Sequence, residues 1–226
     1  MQHTLRLLVI DPSIVWPEDA GVAEIVADWP GTHRVIRPAL EPATALRPGD
    51  PYDADAVVVM GSRASVHDPH PWLADLGAWL DPLISGALRR PLLGICFGHQ
   101  LVAARAGAPV GRLHEDGAEE RGVQTTRFSG SRLAPDGPMR IVASHGEVVR
   151  SRPRGFRVTA SRERVAIDAL EHDTLPVFSV QFHPEARAEF LARRGMPPGP
   201  QDELAFEEQA RFLAAFRRAA IAEKRT

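Results

Sequence analysis

The chain has 226 residues, of which 44% are apolar and 25% are charged, and its formal net charge is -2. These values are typical of a folded globular protein and exclude a disordered or fibrous chain. Arginine pairs alternate with acidic residues, so no basic face indicates nucleic-acid binding. The single cysteine excludes an internal disulfide and a structural metal site built on several thiolates.

The N-terminal run MQHTLRLLVID contains a short apolar stretch that reaches Asp11 without a small-residue cleavage site. We interpret this stretch as a buried strand rather than a signal peptide. No other apolar stretch approaches the roughly 20 residues that a membrane-spanning helix needs. The sequence therefore predicts a cytoplasmic protein with no membrane or nucleic-acid partner, folded as a single domain over residues 1–226.

In the first half of the chain, short apolar runs rich in β-branched residues alternate with longer amphipathic stretches. This alternation predicts a parallel sheet covered by helices. The predicted strands cover residues 5–10, 34–37, 56–60 and 92–95. Two predicted helices, 17–29 and 72–85, carry apolar residues three and four positions apart.

After Gly107, shorter alternating segments punctuated by Gly, Pro and Asp predict antiparallel strands. These segments cover residues 123–128, 140–144, 156–161 and 165–170, and a continuous apolar run over 177–182 predicts an interior strand. Three prolines within 195–200 predict a loop, and Asp202 is expected to cap a final helix. The predicted fold is α/β, with an open, mostly parallel sheet flanked by helices and an antiparallel section in the second half.

The segment PLLGICFGHQL predicts a strand that meets a helix at Cys96, with Gly94 and Gly98 two positions away on either side. So sharp a turn, a nucleophile elbow, requires small flanking residues, because side chains there would collide with neighbouring backbone. The sulfur would project at a helix N-terminus, where the dipole and free amides favour the thiolate. A lone cysteine is more often a small buried apolar residue, but this setting indicates a nucleophile.

The segment QFHPE places His183 and Glu185 directly after a predicted strand. Alternate residues of an extended backbone point to the same side, so the carboxylate can orient the imidazole. Both this segment and the elbow follow the carboxyl ends of predicted strands, where open α/β sheets place their sites. We therefore predict a catalytic triad of Cys96, His183 and Glu185, and interpret His99 as a packing residue.

GICFGHQL followed downstream by VQFHPE resembles the class I glutamine amidotransferases, which use a Cys-His-Glu triad on a flavodoxin-like α/β fold. The loop MGSRASV at residues 60–66 stands where that family has a GGP-type oxyanion loop. The three motifs occur in the family's order. Within the family, the chain most resembles stand-alone proteins related to the amidotransferase domain of GMP synthetase.

The resemblance implies that Cys96 is the nucleophile, that His183 acts as base and then as acid, and that Glu185 orients the ring. It implies backbone amides facing the oxyanion at three positions: Gly61, Ser62 and Phe97. It also implies substrate contacts at five positions: Gln100, Ser144, His145, Gly146 and Glu147. No cofactor follows from it, and the group His67, Asp68 and His70, with proline on both sides of His70, favours a turn over a metal site.

The implied reaction is thiolate attack on the γ-carboxamide of glutamine, loss of ammonia, and hydrolysis of the γ-glutamyl thioester. Because the chain has no G-x-x-x-x-G-K nucleotide loop, ammonia would pass to a separately encoded synthetase. One alternative is a γ-glutamyl peptidase or hydrolase that acts on γ-glutamyl peptides or amines, and the missing synthetase domain favours it. The other is an inactive binding module, which the intact triad residues argue against.

Overall fold

The computed structural model describes residues 4–197 and 199–224. The strands are β1 (Arg6–Ile10), β2 (Thr32–Ile36), β3 (Ala56–Val59), β4 (Leu92–Ile95), β5 (Val110–Arg112), β6 (Glu120–Phe128), β7 (Gly137–His145), β8 (Glu147–Val149), β9 (Phe156–Arg162), β10 (Val165–His172) and β11 (Val177–Val180). The helices are α1 (Asp19–Val26), α2 (Pro71–Ser85), α3 (Phe97–Arg105), α4 (Ala188–Arg193) and α5 (Asp202–Glu223), with a short 3-10 turn at Pro42–Thr44.

Nine strands form one sheet in the order β2-β1-β3-β4-β11-β10-β9-β6-β7. The strands from β2 to β11 in that order run parallel, and the pairs from β11 to β7 are antiparallel. Strands β5 and β8 form a separate antiparallel pair. The structure confirms the predicted α/β class, with a parallel first half and an antiparallel second half.

Apolar side chains on the two faces of the parallel strands pack against different helices. In β1, Leu8 and Ile10 belong to the cluster that contains the apolar faces of α2 and α3, whereas Leu7 and Val9 belong to the cluster with α1 and α5. Successive residues of a strand point to opposite faces, so one strand supplies both layers. Helices therefore pack on both faces of the sheet and hold in place the edge at which the carboxyl ends of the parallel strands lie.

Several element boundaries differ from the sequence-based predictions. Helix α1 covers Asp19–Val26 rather than 17–29, because Asp28 has a left-handed backbone with φ 57° and ends the helix. Strand β2 covers Thr32–Ile36 rather than 34–37, since pairing with β1 begins at Thr32. Strands β5 and β8 and helix α4 were not predicted, because each is too short for a hydrophobic period to be visible.

The predicted capping role of Asp202 at the C-terminal helix was wrong. Asp202 is the first residue of α5 and does not cap it: the N-cap is Gln201, and the Asp202 carboxylate accepts a hydrogen bond from Gly199 N at 2.8 Å. Within the predicted loop over 195–200, Pro198 lies outside the described residues. No helix in the described part of the chain is long and apolar enough to cross a bilayer.

Candidate active site

The carboxyl ends of three neighbouring parallel strands meet at one edge of the sheet. Gly61 follows β3, Cys96 follows β4 and His183 follows β11. Because β4 pairs with both β3 and β11, the carboxyl ends of the three strands place all three residues at this edge. The strand order therefore brings together three segments that are far apart in the sequence.

Cys96 lies on a strained turn between β4 and α3. Its backbone angles are φ 50° and ψ -100°, a combination that residues with a side chain rarely adopt. Such a conformation costs about 1–3 kcal/mol and persists only where the surrounding structure holds it. Here Cys96 N donates to Val180 O at 2.8 Å, and Cys96 O accepts from Gln100 N at 3.0 Å. The neighbouring strand and the first turn of α3 thus hold the elbow.

Glycines make the close approach at the elbow possible. A Cβ on Gly94 would lie 2.5 Å from Gly98 O, and one on Gly98 would lie less than 3.0 Å from Val59 O. These separations are shorter than real carbon–oxygen contacts, so the expected collisions at both glycines are confirmed. A Cβ on Gly61 would meet His183 Cε1 at 2.6 Å and Cys96 Cβ at 3.5 Å. The loop after β3 therefore packs directly against both side chains.

His183 and Glu185 form a buried pair. His183 Nδ1 lies 2.8 Å from Glu185 Oε1, and only 4% and 3% of the two side chains are exposed. The backbone around the ring is also held, since His183 N donates to Val142 O at 2.9 Å and Ala186 N donates to His183 O at 3.0 Å. A carboxylate on Nδ1 fixes that proton and leaves Nε2 for chemistry.

The charge state of His183 depends on its neighbours. Burial lowers the pKa of His183, but the nearby charges of Cys96 and Glu185 and the hydrogen bond to Glu185 outweigh burial and raise this pKa to about 10. The ring is therefore protonated near neutral pH and can act as a proton donor. By contrast, burial lowers the pKa of His99 to about 3, so this ring stays neutral and packs with Nδ1 at 2.8 Å from Ser179 Oγ.

A cleft of about 590 Å³ opens over Cys96 and is lined by all five residues expected to bind substrate. The predicted site residues that line it are Ser62, Cys96, Gln100, Ser144, His145, Gly146, Glu147 and His183. Three others lie behind the wall of the cleft: Gly61, Phe97 and Glu185. The structure thus gathers the segment 144–147, which joins β7 to β8, around the same opening as the elbow.

The backbone amides expected to face an oxyanion lie on both sides of Cys96. Phe97 is the first residue of α3, so its amide precedes the first intrahelical hydrogen bond. On the other side, the Ser62 hydroxyl donates to Pro12 O at 2.7 Å and accepts from Ala64 N at 3.0 Å. These bonds fix the path of the loop after β3.

Side-chain amides and a carboxylate form a network on the wall of the cleft. Gln100 Nε2 donates to Glu147 O at 2.8 Å and to Gln181 Oε1 at 3.3 Å. Gln181 Nε2 in turn lies 3.7 Å from Cys96 Sγ, and Ser65 Oγ donates to Glu147 Oε2 at 2.9 Å. Sequence reasoning missed Gln181 and Ser65, although both lie within motifs that carry the resemblance.

His145 lines the cleft as a neutral ring. Its Nε2 lies 2.8 Å from the Arg162 guanidinium, which is paired with the buried Asp168 carboxylate at 3.0 Å and with Glu120. Burial, followed by the charge of Arg162, lowers the pKa of His145 to about 3. A guanidinium can only donate, so Nε2 accepts and the ring proton lies on Nδ1. No sequence signal linked these four residues.

The two histidines after the β3 loop have different settings, since His67 lies in a turn and His70 is the N-cap residue of α2. His67 Nε2 lies 3.0 Å from Val110 O, and His70 Nε2 lies 3.8 Å from Asp68 Oδ2. Within residues 4–197 and 199–224, no group of three or more His, Cys, Asp or Glu side chains is arranged to hold a metal ion.

Replacing His99 with asparagine is expected to reduce the loss of stability in acid. The pKa of His99 lies near 3 in the folded state and near 6.5 in the unfolded state. Below pH 6.5 the unfolded chain therefore binds a proton that the folded chain does not, and stability falls as pH falls. Between pH 7 and pH 4.5 the free energy of unfolding, measured by urea denaturation, should fall by roughly 2 kcal/mol less in the variant than in the wild type.

The matched control for this prediction is His33→Asn, because His33 is exposed. The free energy of unfolding of this control should depend on pH as that of the wild type does. If His99→Asn also showed this dependence, the buried neutral ring would not contribute to acid sensitivity.

Comparisons with known proteins identify what the chain is similar to. Residues 41–191 match the family model described as glutamine amidotransferase class-I. One subunit of a glutamine-hydrolysing GMP synthase from Thermococcus kodakarensis is 38% identical over 97 residues, which cover 42% of this chain and 50% of that relative. A GMP synthase from Mycobacterium marinum is 32% identical over 177 residues, which cover 77% of this chain and 32% of that protein.

A solved structure of similar fold is a glutamine amidotransferase from Thermotoga maritima. Its TM-score to this chain is 0.76 at 19% sequence identity, with 100% of both chains covered. At 19% sequence identity, this similarity shows only that the two chains share a fold. The matched segments span half or less of the two synthase chains.

Proposed function

The chain belongs to the class-I glutamine amidotransferase family, and we propose that it hydrolyses the γ-amide of glutamine to glutamate and ammonia through a thioester on Cys96. One observation carries this proposal. A cysteine on a strained turn shares an open cleft with a buried imidazole, whose Nδ1 lies 2.8 Å from the Glu185 carboxylate. A nucleophile, a proton carrier and an orienting carboxylate are what acyl transfer requires.

In the first half of the proposed reaction, the Cys96 thiolate attacks the carbonyl carbon of the γ-amide. The carbonyl electron pair moves onto oxygen, where the amides of Gly61, Ser62 and Phe97 would stabilise the charge. The raised pKa of His183 keeps its ring protonated, so the imidazolium can give a proton to the amide nitrogen. The carbon–nitrogen bond then breaks, ammonia leaves and the γ-glutamyl thioester remains.

In the second half, the neutral His183 ring takes a proton from water as the water oxygen attacks the thioester carbon. The carbon–sulfur bond breaks, glutamate leaves and the Cys96 thiolate is regenerated. Throughout both halves, Glu185 would hold the proton on His183 Nδ1 and stabilise the charged ring.

The direct test is to incubate pure protein with glutamine and to measure ammonia and glutamate. The proposal expects the two products in equal amounts, at a rate that depends on enzyme concentration. Release no faster than with a Cys96→Ala control would contradict it.

We further propose that residues 1–226 act as a single amidotransferase domain that supplies ammonia to a synthetase subunit in trans. This is supported by the nine-stranded sheet, which joins both halves of the chain, and by the similarity to one subunit of a GMP synthase. A cognate synthetase added in trans should raise glutamine turnover and consume the ammonia. Unchanged turnover with every candidate synthetase would contradict this partnership.

The size of the cleft favours one alternative, a γ-glutamyl peptidase. A volume of about 590 Å³ lies within the range of pockets that bury ligands larger than a single amino acid, roughly 300–1,000 Å³. Hydrolysis of γ-glutamyl peptides with negligible glutamine turnover would support this alternative over the amidotransferase. The leaving group would then be an amine in place of ammonia.

Replacing Glu147 with glutamine is expected to raise the KM for glutamine about 10-fold or more, with little change in kcat. Glu147 lines the cleft, and the described residues provide it with a hydroxyl partner, Ser65, but no cation. We propose that its carboxylate binds the substrate α-ammonium, an interaction equal in the ground and transition states. A hydrogen bond to a charged group contributes about 1.5–3 kcal/mol.

The matched control for Glu147 is Glu119→Gln. Glu119 lines the same cleft but is already paired with Arg121 at 2.7 Å, so its replacement should leave KM within a few-fold. Steady-state kinetics would measure both variants. Equal KM values for Glu147→Gln and the wild type would exclude an α-ammonium contact.

A further inference from the structure

One cation on the wall of the cleft has no carboxylate partner. Arg121 is paired with Glu119 at 2.7 Å, and Arg194 is paired with Glu18 at 2.8 Å. Arg63 lines the same cleft, yet no described carboxylate lies within ion-pair distance of it. Its guanidinium instead lies over the Trp16 ring, 5.4 Å from the centroid. Of the three arginines described on this wall, Arg63 alone keeps a charge that an anionic ligand can neutralise.

The backbone of Arg63 is held close to the reacting groups. A Cβ on Gly61 would meet His183 Cε1 at 2.6 Å, and two residues of extended chain span at most about 7 Å. Between them, the Ser62 hydroxyl is bonded to Pro12 O and to Ala64 N. The long Arg63 side chain therefore starts from a fixed point near the thiol, and an aromatic ring supports its planar head.

The charges at the opening of the cleft are of both signs. Glu147 supplies a carboxylate that no described cation neutralises, and Arg63 supplies the uncompensated guanidinium. A free α-amino acid carries one ammonium and one carboxylate on the same carbon. The two side chains therefore match the two charges of the amino-acid end of a γ-glutamyl compound.

We propose that Arg63 binds the α-carboxylate of the substrate and so makes the site specific for γ-acyl α-amino acids over simple amides. The proposal rests on the proposed function, since it assumes that Cys96 attacks the γ-carbonyl. A guanidinium offers two parallel N–H donors to a carboxylate, which gives both strength and orientation. Arg63 is then a substrate-binding residue that acts apart from the triad.

The test compares glutamine with 4-aminobutanamide, the same amide without its α-carboxylate. Replacing Arg63 with glutamine should lower kcat/KM for glutamine about 10- to 100-fold, the usual effect of losing a charged hydrogen bond. The same change should leave 4-aminobutanamide hydrolysis unaltered. Arg63→Lys, which keeps the charge but not the two-donor geometry, should recover part of the loss. The matched control is Arg121→Gln, whose charge Glu119 already neutralises.

Two outcomes of the comparison between glutamine and 4-aminobutanamide would overturn the proposal. Equal losses on both amides would mean that Arg63 only supports the loop, and no loss on glutamine would mean that it does not contact the substrate. A third arm compares γ-glutamylglycine with γ-glutamylglycinamide. A loss with Arg63→Gln on γ-glutamylglycine, but not on γ-glutamylglycinamide or glutamine, would place the bound carboxylate on the leaving group and overturn the α-carboxylate assignment.

A binding measurement separates failure of this proposal from failure of the proposed function. In the Cys96→Ala chain, which has no nucleophile, calorimetry should show weaker glutamine binding once Arg63 is also replaced by glutamine. This result is expected whether or not the wild type turns over glutamine rapidly. Unchanged glutamine affinity would overturn the role of Arg63, whereas absent turnover by the wild type alone would count against the proposed function.

Discussion

Cys96→Ala is expected to abolish glutamine hydrolysis, with kcat at least about 10⁴-fold below that of the wild type. Loss of a covalent nucleophile removes the thioester route entirely, and residual rates in such variants come from binding and oxyanion stabilisation alone. The chain contains one cysteine, so no second thiol can replace it. Single-turnover and steady-state assays of ammonia release would measure the effect.

The melting temperature and the glutamine affinity of Cys96→Ala show whether the variant still folds and binds its ligand. Alanine removes one sulfur from a side chain that is 4% exposed, so the melting temperature should change little and glutamine should still bind. Full hydrolysis by this variant would remove Cys96 from the mechanism. If Cys96→Ala lost its fold as well as its activity, the test would be repeated with Cys96→Ser, which keeps the side-chain volume and provides a poorer nucleophile.

Gly98→Ala is expected to have the largest effect on stability, about 3 kcal/mol or more. The new Cβ would lie less than 3.0 Å from Val59 O and 3.0 Å from Val59 C, and because both are backbone atoms, no side-chain rotation can relieve the collision. Helix α3 would have to move away from β3, which costs more than ordinary overpacking of a core. Activity should fall as well, because the same shift separates Cys96 from Gly61. Urea denaturation and ammonia release would measure both effects.

The matched control for Gly98 is Gly111→Ala. A Cβ on Gly111 would meet only the Arg150 side chain, at 3.4 Å, and φ there is not left-handed. This variant should stay within about 0.5–1 kcal/mol of the wild type. If Gly98→Ala were equally stable and active, the close packing of α3 on β3 would not be required for the elbow.

The parts of the site that sequence could predict are those encoded locally. The spacing of Gly94, Cys96 and Gly98 indicates a sharp turn whatever the rest of the chain does, and the collisions expected there are present. In the same way, the two-residue spacing of His183 and Glu185 in an extended segment predicts that they share a side. Their ring and carboxylate lie 2.8 Å apart.

The contacts that sequence could not predict depend on strand order and tertiary packing. Gln181 reaches the Cys96 sulfur because β4 and β11 are neighbours, although 85 residues separate the two side chains. Arg162 at the end of β9 meets His145 at the end of β7, although β6 lies between these two strands in the sheet and no local motif links the two residues. Hydrophobic periodicity reports which face of an element is buried, but not which element lies beside it.

Short elements were missed for a related reason. Strands β5 and β8 have three residues each, which is less than two periods of an alternating pattern. Pairing between them, from Val110 with Val149 to Arg112 with Glu147, forms only in the folded chain. This pairing fixes the start of β8 and with it the position of Glu147 at the cleft.

Alkylation by a chloroketone analogue of glutamine tests most directly the claim that Cys96 is a substrate-directed nucleophile. The thiolate would displace chloride, and intact mass with peptide mapping would locate the new carbon–sulfur bond. We predict one adduct per chain, on Cys96, formed with saturable kinetics and slowed by glutamine. A protein that releases ammonia from glutamine but is not alkylated at Cys96, or is alkylated at a rate that glutamine does not change, would contradict the account.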